Sequence, residues 1–255
     1  MTTIAAPFHH DERLPDDDLP VRADVTVLPT LPAGDTWQRL VAVASGIADE
    51  VAPVVEAGGV PVVFSGDCLM AGGTVTGVQR AGGDPGIVWF DAHGDVHTLE
   101  TSTSGYLGGT SLRVLTGAHP ERYANRLGLR PLPPARAVLA DARDLDPAEA
   151  DYVATGEIRR LTVPEVTAAT APPGPLVIHL DLDVIDAAEV PGLSFPVTGG
   201  PSADEVLAAC ERLLATGRVL ALDVACPWRP AADDSERRAR AHLLSRLAAL
   251  ATAAG

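Results

Sequence analysis

Cysteine and basic residues are scarce in this sequence. Only three of its 255 residues are cysteines (Cys68, Cys210 and Cys226), too few and too scattered for a disulfide framework, so a reducing cytoplasm is the expected location. The 19 basic residues are outnumbered by 34 acidic ones, which gives a formal net charge of -15. This charge argues against binding to a nucleic-acid backbone or to an anionic membrane, and it favours metal ions or a basic substrate as partners.

Long apolar runs and targeting signals are also missing. No uninterrupted apolar stretch approaches the ~20 residues of a membrane span, and the N-terminus lacks the basic and apolar regions of a signal peptide. No internal repeat or low-complexity linker divides the chain. Hydrophobic residues make up 46% and charged residues 21%, a balance typical of globular proteins. We therefore expect a single domain over residues 1–255 without a membrane segment.

Short apolar runs rich in Val, Ile and Leu recur along the chain and do not alternate with polar residues. Strands that are buried on both faces of a parallel sheet have this pattern. Segments with helical spacing lie between several runs, over Thr36–Glu56, Ser202–Ala215 and Ser235–Ala253. The alternation predicts an α/β fold with helices on both faces of the sheet. The predicted strands are Val21–Leu28, Val60–Ser65, Gly86–Phe90, Ala135–Leu139, Leu176–Leu180 and Val219–Val224.

Metal-ligand residue types follow two of these strands. Asp91, His93 and Asp95 alternate after one strand, and Asp181 and Asp183 after another. Ligands bind beyond the carboxyl ends of such strands, and alternate residues of an extended chain share a face. Four carboxylates beside one imidazole repel one another unless cations lie between them, and hard oxygen donors suit Mn²⁺. The pattern predicts a two-metal hydrolytic site; the alternative is that Asp91 and Asp181 only cap helices or bind loop amides.

These motifs resemble those of the ureohydrolase (arginase–agmatinase) superfamily. Asp91-Ala92-His93-Gly94-Asp95 matches its Asp-Ala-His-x-Asp motif, and Asp181-Leu182-Asp183 matches its Asp-x-Asp motif. Ser65-Gly66-Asp67-Cys68 stands where the superfamily has Gly-Gly-Asp-His. Ser104-Gly105 and Asp144-Leu145-Asp146-Pro147 fall where arginases have a Ser-Gly substrate loop and an Asp-x-Asp-Pro turn.

The resemblance implies a three-layer α/β/α fold, two manganese ions per chain and water-dependent attack on a guanidinium or amidine carbon. Asp91 and Asp181 are expected to bridge the two ions, and Asp95 is expected to be both a ligand and a catalytic residue. The resemblance also implies a homo-oligomer, trimeric or hexameric, acting on a small-molecule substrate. The remaining ligands are expected to be Asp95 and Cys68 for one ion, and His93 and Asp183 for the other. The expected substrate contacts are Ser104, Asp146 and Glu149.

Three positions depart from the superfamily pattern. Cys68 replaces a metal-binding His, and thiolate is a poor ligand for Mn²⁺. Cys68 is therefore expected to ligate weakly, to lie beside the metal as a thiol, or to leave that ion underbound. The alternative is a small buried thiol without a role. Gly108 replaces a proton-shuttling His, for which His97 is the candidate substitute. Cys226 replaces the acid that grips the guanidinium, and Glu100 is either the source of the missing charge or a solvated loop residue.

The missing acid makes ordinary arginine doubtful as the substrate. Resemblance to arginase relatives that act on N-hydroxyarginine and share the Cys at position 68 favours a modified guanidine. We therefore predict a metal-dependent hydrolase of C–N bonds, other than peptide bonds, in linear amidines. Two alternatives stay open: a non-catalytic or weakly metal-binding scaffold protein on this fold, and a thiol-dependent amidinohydrolase with Cys68 as its nucleophile.

Overall fold

The fold is built on a parallel β-sheet. The computed structural model describes residues 2–15 and 18–251, and within them the main sheet has eight strands in the order β4-β1-β5-β10-β9-β6-β7-β8, with every neighbouring pair parallel. A short antiparallel hairpin, β2 (Phe8–His9) and β3 (Glu12–Arg13), stands apart from it. The strands of the main sheet are β1 (Thr3–Ala6), β4 (Val25–Thr26), β5 (Val62–Ser65), β6 (Gly86–Asp91), β7 (Ala137–Asp141), β8 (Arg159–Leu161), β9 (Leu176–Asp181) and β10 (Val219–Ala225).

Helices cover both faces of the sheet and enclose two hydrophobic cores. One core lies against α1 and α2, and the other against α6 and α7. In β6, Ile87 and Trp89 belong to the first core, whereas Val88 and Phe90 belong to the second. Both faces of the sheet are therefore buried, which explains the uninterrupted apolar runs. This arrangement confirms the three-layer α/β/α prediction. The helices are α1 (Thr36–Glu56), α2 (Ala71–Arg80), α3 (Ser111–Leu115), α4 (Ala124–Leu127), α5 (Pro147–Ala154), α6 (Ala203–Leu214) and α7 (Asp234–Leu250).

The long helices agree with the sequence prediction. Helix α1 has the predicted bounds, and α6 begins at the predicted capping box, where the Ser202 side chain accepts from the backbone N–H of Glu205. Helix α7 begins at Asp234, one residue before the prediction, and the predicted end at Ala253 lies outside the described residues.

The edge strands differ from the prediction. The predicted strand Val21–Leu28 contains only the two residues of β4, because that edge of the sheet pairs with β1 alone. The predicted strand Ala135–Leu139 begins two residues later, as β7, after a 3₁₀ turn over Pro134–Arg136. Two strands of the main sheet were not predicted. Strand β1 was missed although all four of its residues are buried, and β8 was missed because its two arginines are exposed and leave no apolar run.

The sheet order brings the motif-bearing strands together. Strands β5, β10, β9 and β6 are consecutive neighbours, so the residues that follow them meet at one edge of the sheet. All three cysteines are free and buried. In residues 2–15 and 18–251, no helix combines the length and apolar content that a membrane crossing needs.

Candidate metal centre and substrate cavity

Two clusters of potential metal ligands lie at this edge and share one carboxylate. Cys68, Asp91 and Asp95 form the first, and Asp91, His93 and Asp183 form the second. Within each cluster the potential ligand atoms lie within 4.8 Å of one another. Asp91 therefore occupies the position that a residue bridging two cations needs.

The backbone turns sharply to bring these ligands together. Strand β6 ends at Asp91, whose Oδ1 accepts a 2.7 Å hydrogen bond from the backbone N–H of His93, and Asp95 has a positive φ of 53°. The same turn recurs after β9, where the N–H of Asp183 donates to Asp181 Oδ1 at 2.8 Å. We expected Asp91, His93 and Asp95 to share one face of an extended chain, and that reason is wrong. The three residues converge because the strand ends at Asp91 and the chain turns after it.

The carboxylates of the centre are buried and repel one another. Burial, followed by the neighbouring carboxylates, raises the pKa of Asp95 and of Asp181 well above the usual value and raises that of Asp183 to about 6. Burial lowers the pKa of His93, but its contacts with Asp183 (3.0 Å) and Asp91 (3.4 Å) outweigh this and raise it to about 12. In metal-free protein this imidazolium provides local positive charge for the cluster.

Cys68 lies inside this cluster. Its Sγ donates a hydrogen bond to Asp181 Oδ2 at 2.8 Å, and its side chain is buried. Burial, then the negative charge of Asp181, raises the thiol pKa well above its usual value. Metal-free protein therefore holds Cys68 as a neutral thiol, because a thiolate there would face several carboxylates.

The donor set fits divalent cations. Asp95 Oδ2 is buried and has no hydrogen-bond partner among the described residues, so this polar atom is left unsatisfied. Carboxylate oxygens and one imidazole are suitable ligands for Mn²⁺, and cations between the carboxylates remove the repulsion that raises their pKa values. The residues present are therefore able to hold the two ions that the sequence predicts.

A buried hydrogen-bond network supports Asp91 from within the sheet. The indole N–H of Trp89 donates to Asp91 Oδ2 at 3.0 Å, and the Trp89 ring stacks on His179 with centroids 3.6 Å apart. His179 Nδ1 lies 2.8 Å from Asp223 Oδ1, and Thr74 Oγ1 also donates to Asp223. The sequence analysis assigned no role to Trp89 or His179. A histidine inside an apolar strand, as at position 179, was the feature that could have indicated this network.

Arg143 is a second supporting residue that the sequence analysis missed. Its guanidinium pairs with Asp141 and donates to the backbone carbonyls of Asp183 (3.1 Å), Val184 (2.9 Å) and Val197 (2.8 Å). One partly buried cation thus connects the end of β7, the turn that carries Asp183 and the loop before α6.

A cavity of about 360 Å³ opens above the metal-ligand clusters. Its wall is strongly acidic, and among the described residues no arginine side chain lines it. Phe195 and Tyr106 form its main aromatic surface. The lining residues are Asp67, Cys68, His93, Asp95, His97, Ser104, Tyr106, Gly108, Gly109, Asp144, Asp146, Glu149, Asp181, Asp183, Phe195 and Pro227.

Comparison with known proteins agrees with this geometry. The family model described as "Arginase family" matches residues 9–251. The chain belongs to the arginase family. The arginase of Bacillus subtilis is 36% identical over 185 residues, 67% of this chain and 62% of that protein, and the arginase of Eremothecium gossypii is 35% identical over 194 residues, 70% and 49% respectively. The matched sequence thus spans about half to three fifths of these curated relatives.

A solved arginase structure has the same overall fold. The arginase of Bacillus caldovelox superposes with a TM-score of 0.79 at 25% identity, and the match covers 98% of each chain. The agreement over the full sheet and both helical layers supports the assignment of this chain to the arginase family.

His97 and the Asp-x-Asp-Pro turn of this arginase-family chain meet on one wall of the cavity. His97 Nε2 lies 3.0 Å from Asp146 Oδ2, and Nδ1 lies 3.1 Å from Thr101 Oγ1. Glu149 forms a cluster with His97 and Asp146. Its carboxylate oxygens already accept hydrogen bonds from the backbone N–H groups of Val96 and Asp146. The structure therefore brings these predicted residues together, with Glu149 in a positioning role.

Glu100, suggested as the source of the missing charge, and Cys226, which replaces the gripping acid, both lie away from the cavity. Glu100 is exposed at the surface, where its Oε2 lies 3.3 Å from His119 Nε2, and it does not line the cavity. Cys226 is buried in the core against α6 and α7 and does not line the cavity either. Ser104 does line it, on an exposed loop. Neither Glu100 nor Cys226 therefore replaces the gripping acid in this geometry.

Tyr106 occupies the space that a side chain at Gly108 would need. A Cβ built on Gly108 would lie 2.3 Å from the Tyr106 ring, so a shuttling histidine does not fit there without moving the tyrosine. Tyr106 also stacks on His9, whose Nε2 lies 3.3 Å from the Tyr106 hydroxyl. Sequence reasoning missed Tyr106, although its place within the Ser-Gly substrate loop was a usable signal.

Proposed function

We propose that this arginase-family chain is a metal-dependent hydrolase that cleaves a C–N bond in a guanidine- or amidine-like small molecule. The observation that supports this most directly is the pair of ligand clusters that share Asp91 and lie beneath an acidic cavity. Two Mn²⁺ ions are the cofactor that the donor set favours. When bound, such ions supply Lewis-acid chemistry that makes water a nucleophile near neutral pH.

The side chains around the cavity have distinct roles in this proposal. Asp91 and Asp181 would hold the cations, and the turns after β6 and β9 fix their carboxylates through backbone N–H groups. Asp95 lines the cavity, and its buried Oδ2 has no hydrogen-bond partner among the described residues, so it would be available to ligate a cation or to accept a proton from water. The acidic wall attracts the cationic substrate and excludes anions.

His97 is the proposed proton carrier. It lines the cavity, and its contact with Asp146 at 3.0 Å orients the ring. Asp146 and Ser104 lie at the exposed side of the same cavity, where they are available to the part of the substrate that does not react. Glu149 fixes the backbone of this wall.

Cys68 supports a modified guanidine, such as N-hydroxyarginine, as the proposed substrate. A neutral thiol that donates to Asp181 would leave one cation with fewer ligands than a histidine would provide. An N-hydroxyguanidine oxygen that binds the metals would then be released more readily. The raised thiol pKa also favours this metal-dependent proposal over one in which Cys68 is the nucleophile, because that mechanism requires a thiolate.

A substrate panel tests the proposal. Purified protein loaded with Mn²⁺ is assayed for urea, hydroxyurea or ammonia release from N-hydroxyarginine, arginine, agmatine, guanidinobutyrate and formiminoglutamate. We expect release from at least one guanidine, with N-hydroxyarginine preferred over arginine, and none from the Asp91→Asn variant. Release from arginine alone contradicts the modified-guanidine proposal, and no release together with no bound metal after Mn²⁺ reconstitution favours the scaffold alternative.

The assembly and location also stay predictions. A trimer or hexamer is expected, and light scattering of the purified protein measures it directly. A cytoplasmic location is expected from the scarce cysteines, and fractionation of the source cells tests it.

A further inference from the structure

Phe195 is an exposed aromatic residue at the mouth of the cavity. It lies in the loop between β9 and α6, its side chain lines the cavity, and it is 40% exposed. Its ring lies 4.9 Å from that of Tyr106 and meets the His93 ring edge-on, with centroids 6.3 Å apart and an interplanar angle of 84°. An apolar ring is thus placed beside a predicted metal ligand.

The position of Phe195 is fixed by its neighbours. The backbone N–H of Ser194 donates to the Pro227 carbonyl at 2.7 Å, which attaches the loop to the chain that follows β10. The Tyr106 ring also contacts the Phe195 ring and is itself held by His9. The side chain is therefore exposed because it faces the cavity, and not because its loop is unattached.

The cavity lining combines aromatic and acidic side chains. Asp144 and Asp146 are two of these acids, and they are 65% and 62% exposed. Glu100 and Cys226 lie off the cavity, so neither grips a guanidinium there. A planar cation is attracted by the carboxylates and finds a π face in place of a gripping acid.

We propose that Phe195, supported by Tyr106, is a specificity-determining residue that receives the planar cation of the substrate against its ring. It selects guanidinium and amidinium groups over ammonium groups of the same charge, because a planar cation stacks on an aromatic face more closely than a tetrahedral one. The identity of the reacting group rests on the proposed function above. The stacking itself is a binding property that is measurable without turnover.

Equilibrium binding separates stacking from catalysis. Benzamidinium and benzylammonium share a phenyl ring and a single charge, and they differ in whether the cation is planar. Calorimetric titration of Mn²⁺-loaded protein compares wild type with Phe195→Leu, which keeps an apolar side chain, and Phe195→Tyr, which keeps the ring. We expect Phe195→Leu to weaken benzamidinium binding by roughly 5- to 30-fold, with a change of less than about 3-fold for benzylammonium.

Matched variants control for indirect effects. Phe195→Tyr should retain the wild-type preference for benzamidinium. Leu28→Ala removes a second exposed hydrophobic side chain, which lies outside the cavity lining, and should leave both affinities unchanged. Metal content, measured after dialysis, should be the same in all four proteins.

Steady-state kinetics on the substrate found in the panel provides the second readout. In Phe195→Leu the loss should fall mainly on KM and only slightly on kcat. Equal binding of benzamidinium to wild type and Phe195→Leu overturns the inference, as does an equal loss for both probes or no benzamidinium binding by wild type. Selective loss of benzamidinium without turnover of any substrate by wild type keeps the inference and contradicts the proposed function.

Discussion

The imidazole ring of His179 stacks on the indole ring of Trp89, with their centroids 3.6 Å apart. Trp89 donates to the carboxylate of Asp91, and His179 is held by Asp223. All four side chains are almost fully buried. The orientation of the carboxylate that both ligand clusters share is therefore set inside the sheet, one layer below the cavity.

Trp89→Phe tests this connection. The variant keeps an aromatic ring against His179 but removes the donor to Asp91, and we expect Mn²⁺ affinity to fall by roughly 10- to 100-fold. Metal titration followed by mass spectrometry of the bound metal measures it. Trp37→Phe is the matched control, because Trp37 makes an edge contact with Tyr123 in the core and should not change metal affinity. Equal affinity of Trp89→Phe and wild type would show that Asp91 is oriented without the indole.

His179→Phe tests the buried pair itself. The variant keeps a ring to stack on Trp89 and leaves Asp223 Oδ1 without its partner, so we expect a loss of about 1–3 kcal/mol in the free energy of unfolding. Denaturant unfolding of single and double variants with Asp223→Ala provides a double-mutant cycle. A coupling free energy near zero would contradict the pairing.

Asp91→Asn and Asp181→Asn should each abolish activity and metal retention. An amide has no negative charge and is a poor ligand for two cations at once. Metal content after dialysis and turnover on the best panel substrate are the measurements. Asp144→Asn, on an exposed acid at the rim of the cavity, is the control and should retain both ions. If Asp91→Asn or Asp181→Asn keeps two ions and near-normal turnover, the replaced residue does not bridge the two cations.

Replacing Cys68 should separate metal affinity from turnover. Cys68→His introduces an imidazole that suits Mn²⁺ better than a thiol, so we expect tighter binding with unchanged or lower turnover. Cys68→Ser should keep the ions, and it should alter the pH dependence of turnover if the thiol takes part. If Cys68→Ser matches wild type in metal content, turnover and pH profile, then Cys68 only fills space.

Metal-free protein should lose stability as the pH rises from about 4 to about 8. Burial raises the pKa of Asp183 to about 6, so its contribution is complete below the ordinary carboxyl pKa and is lost as the pH rises through 6. His93, with a pKa raised to about 12, has the same sign: its contribution is complete below 6.5 and declines above that value. Denaturant unfolding of EDTA-treated protein across this range measures the slope.

Asp183→Asn is the control for that slope. The shift of Asp183 corresponds to roughly 3 kcal/mol, so its removal should flatten the pH dependence of metal-free protein by a similar amount. Stability that rises with pH in metal-free wild type would show that these carboxylates do not repel one another as the structure indicates.

The central strands and the ligand residues could be predicted from sequence because their signals are local. A strand buried on both faces is continuously apolar, and Asp91 and Asp181 stand directly at the ends of two such strands. The edge strand β8 could not be predicted, because exposed Arg159 and Arg160 give no apolar run. Strand β4 shows the opposite error, because the sequence predicts a longer strand than the structure has. The apolar run pairs with β1 alone, and only two of its residues form a strand.

The supporting residues could not be predicted because their roles depend on contacts between distant segments. Arg143 acts through carbonyls about 40 to 55 positions away, as the hydrogen bonds to Asp183 and Val197 show. Phe195 and Tyr106 meet across 89 positions (195 minus 106) only after the loop before α6 reaches the cavity. Glu100 was considered for the substrate site because it is acidic and lies near the metal motif in sequence. Its loop instead places it beside His119 at the surface.

Anomalous scattering from crystals grown with Mn²⁺ tests the two-cation centre most directly. We expect two peaks per chain, one among Asp91, His93 and Asp183 and the other among Cys68, Asp91 and Asp95. We also expect the Cys68 sulfur to lie beside the second peak. A single peak per chain, or two peaks that share no carboxylate, would contradict the account.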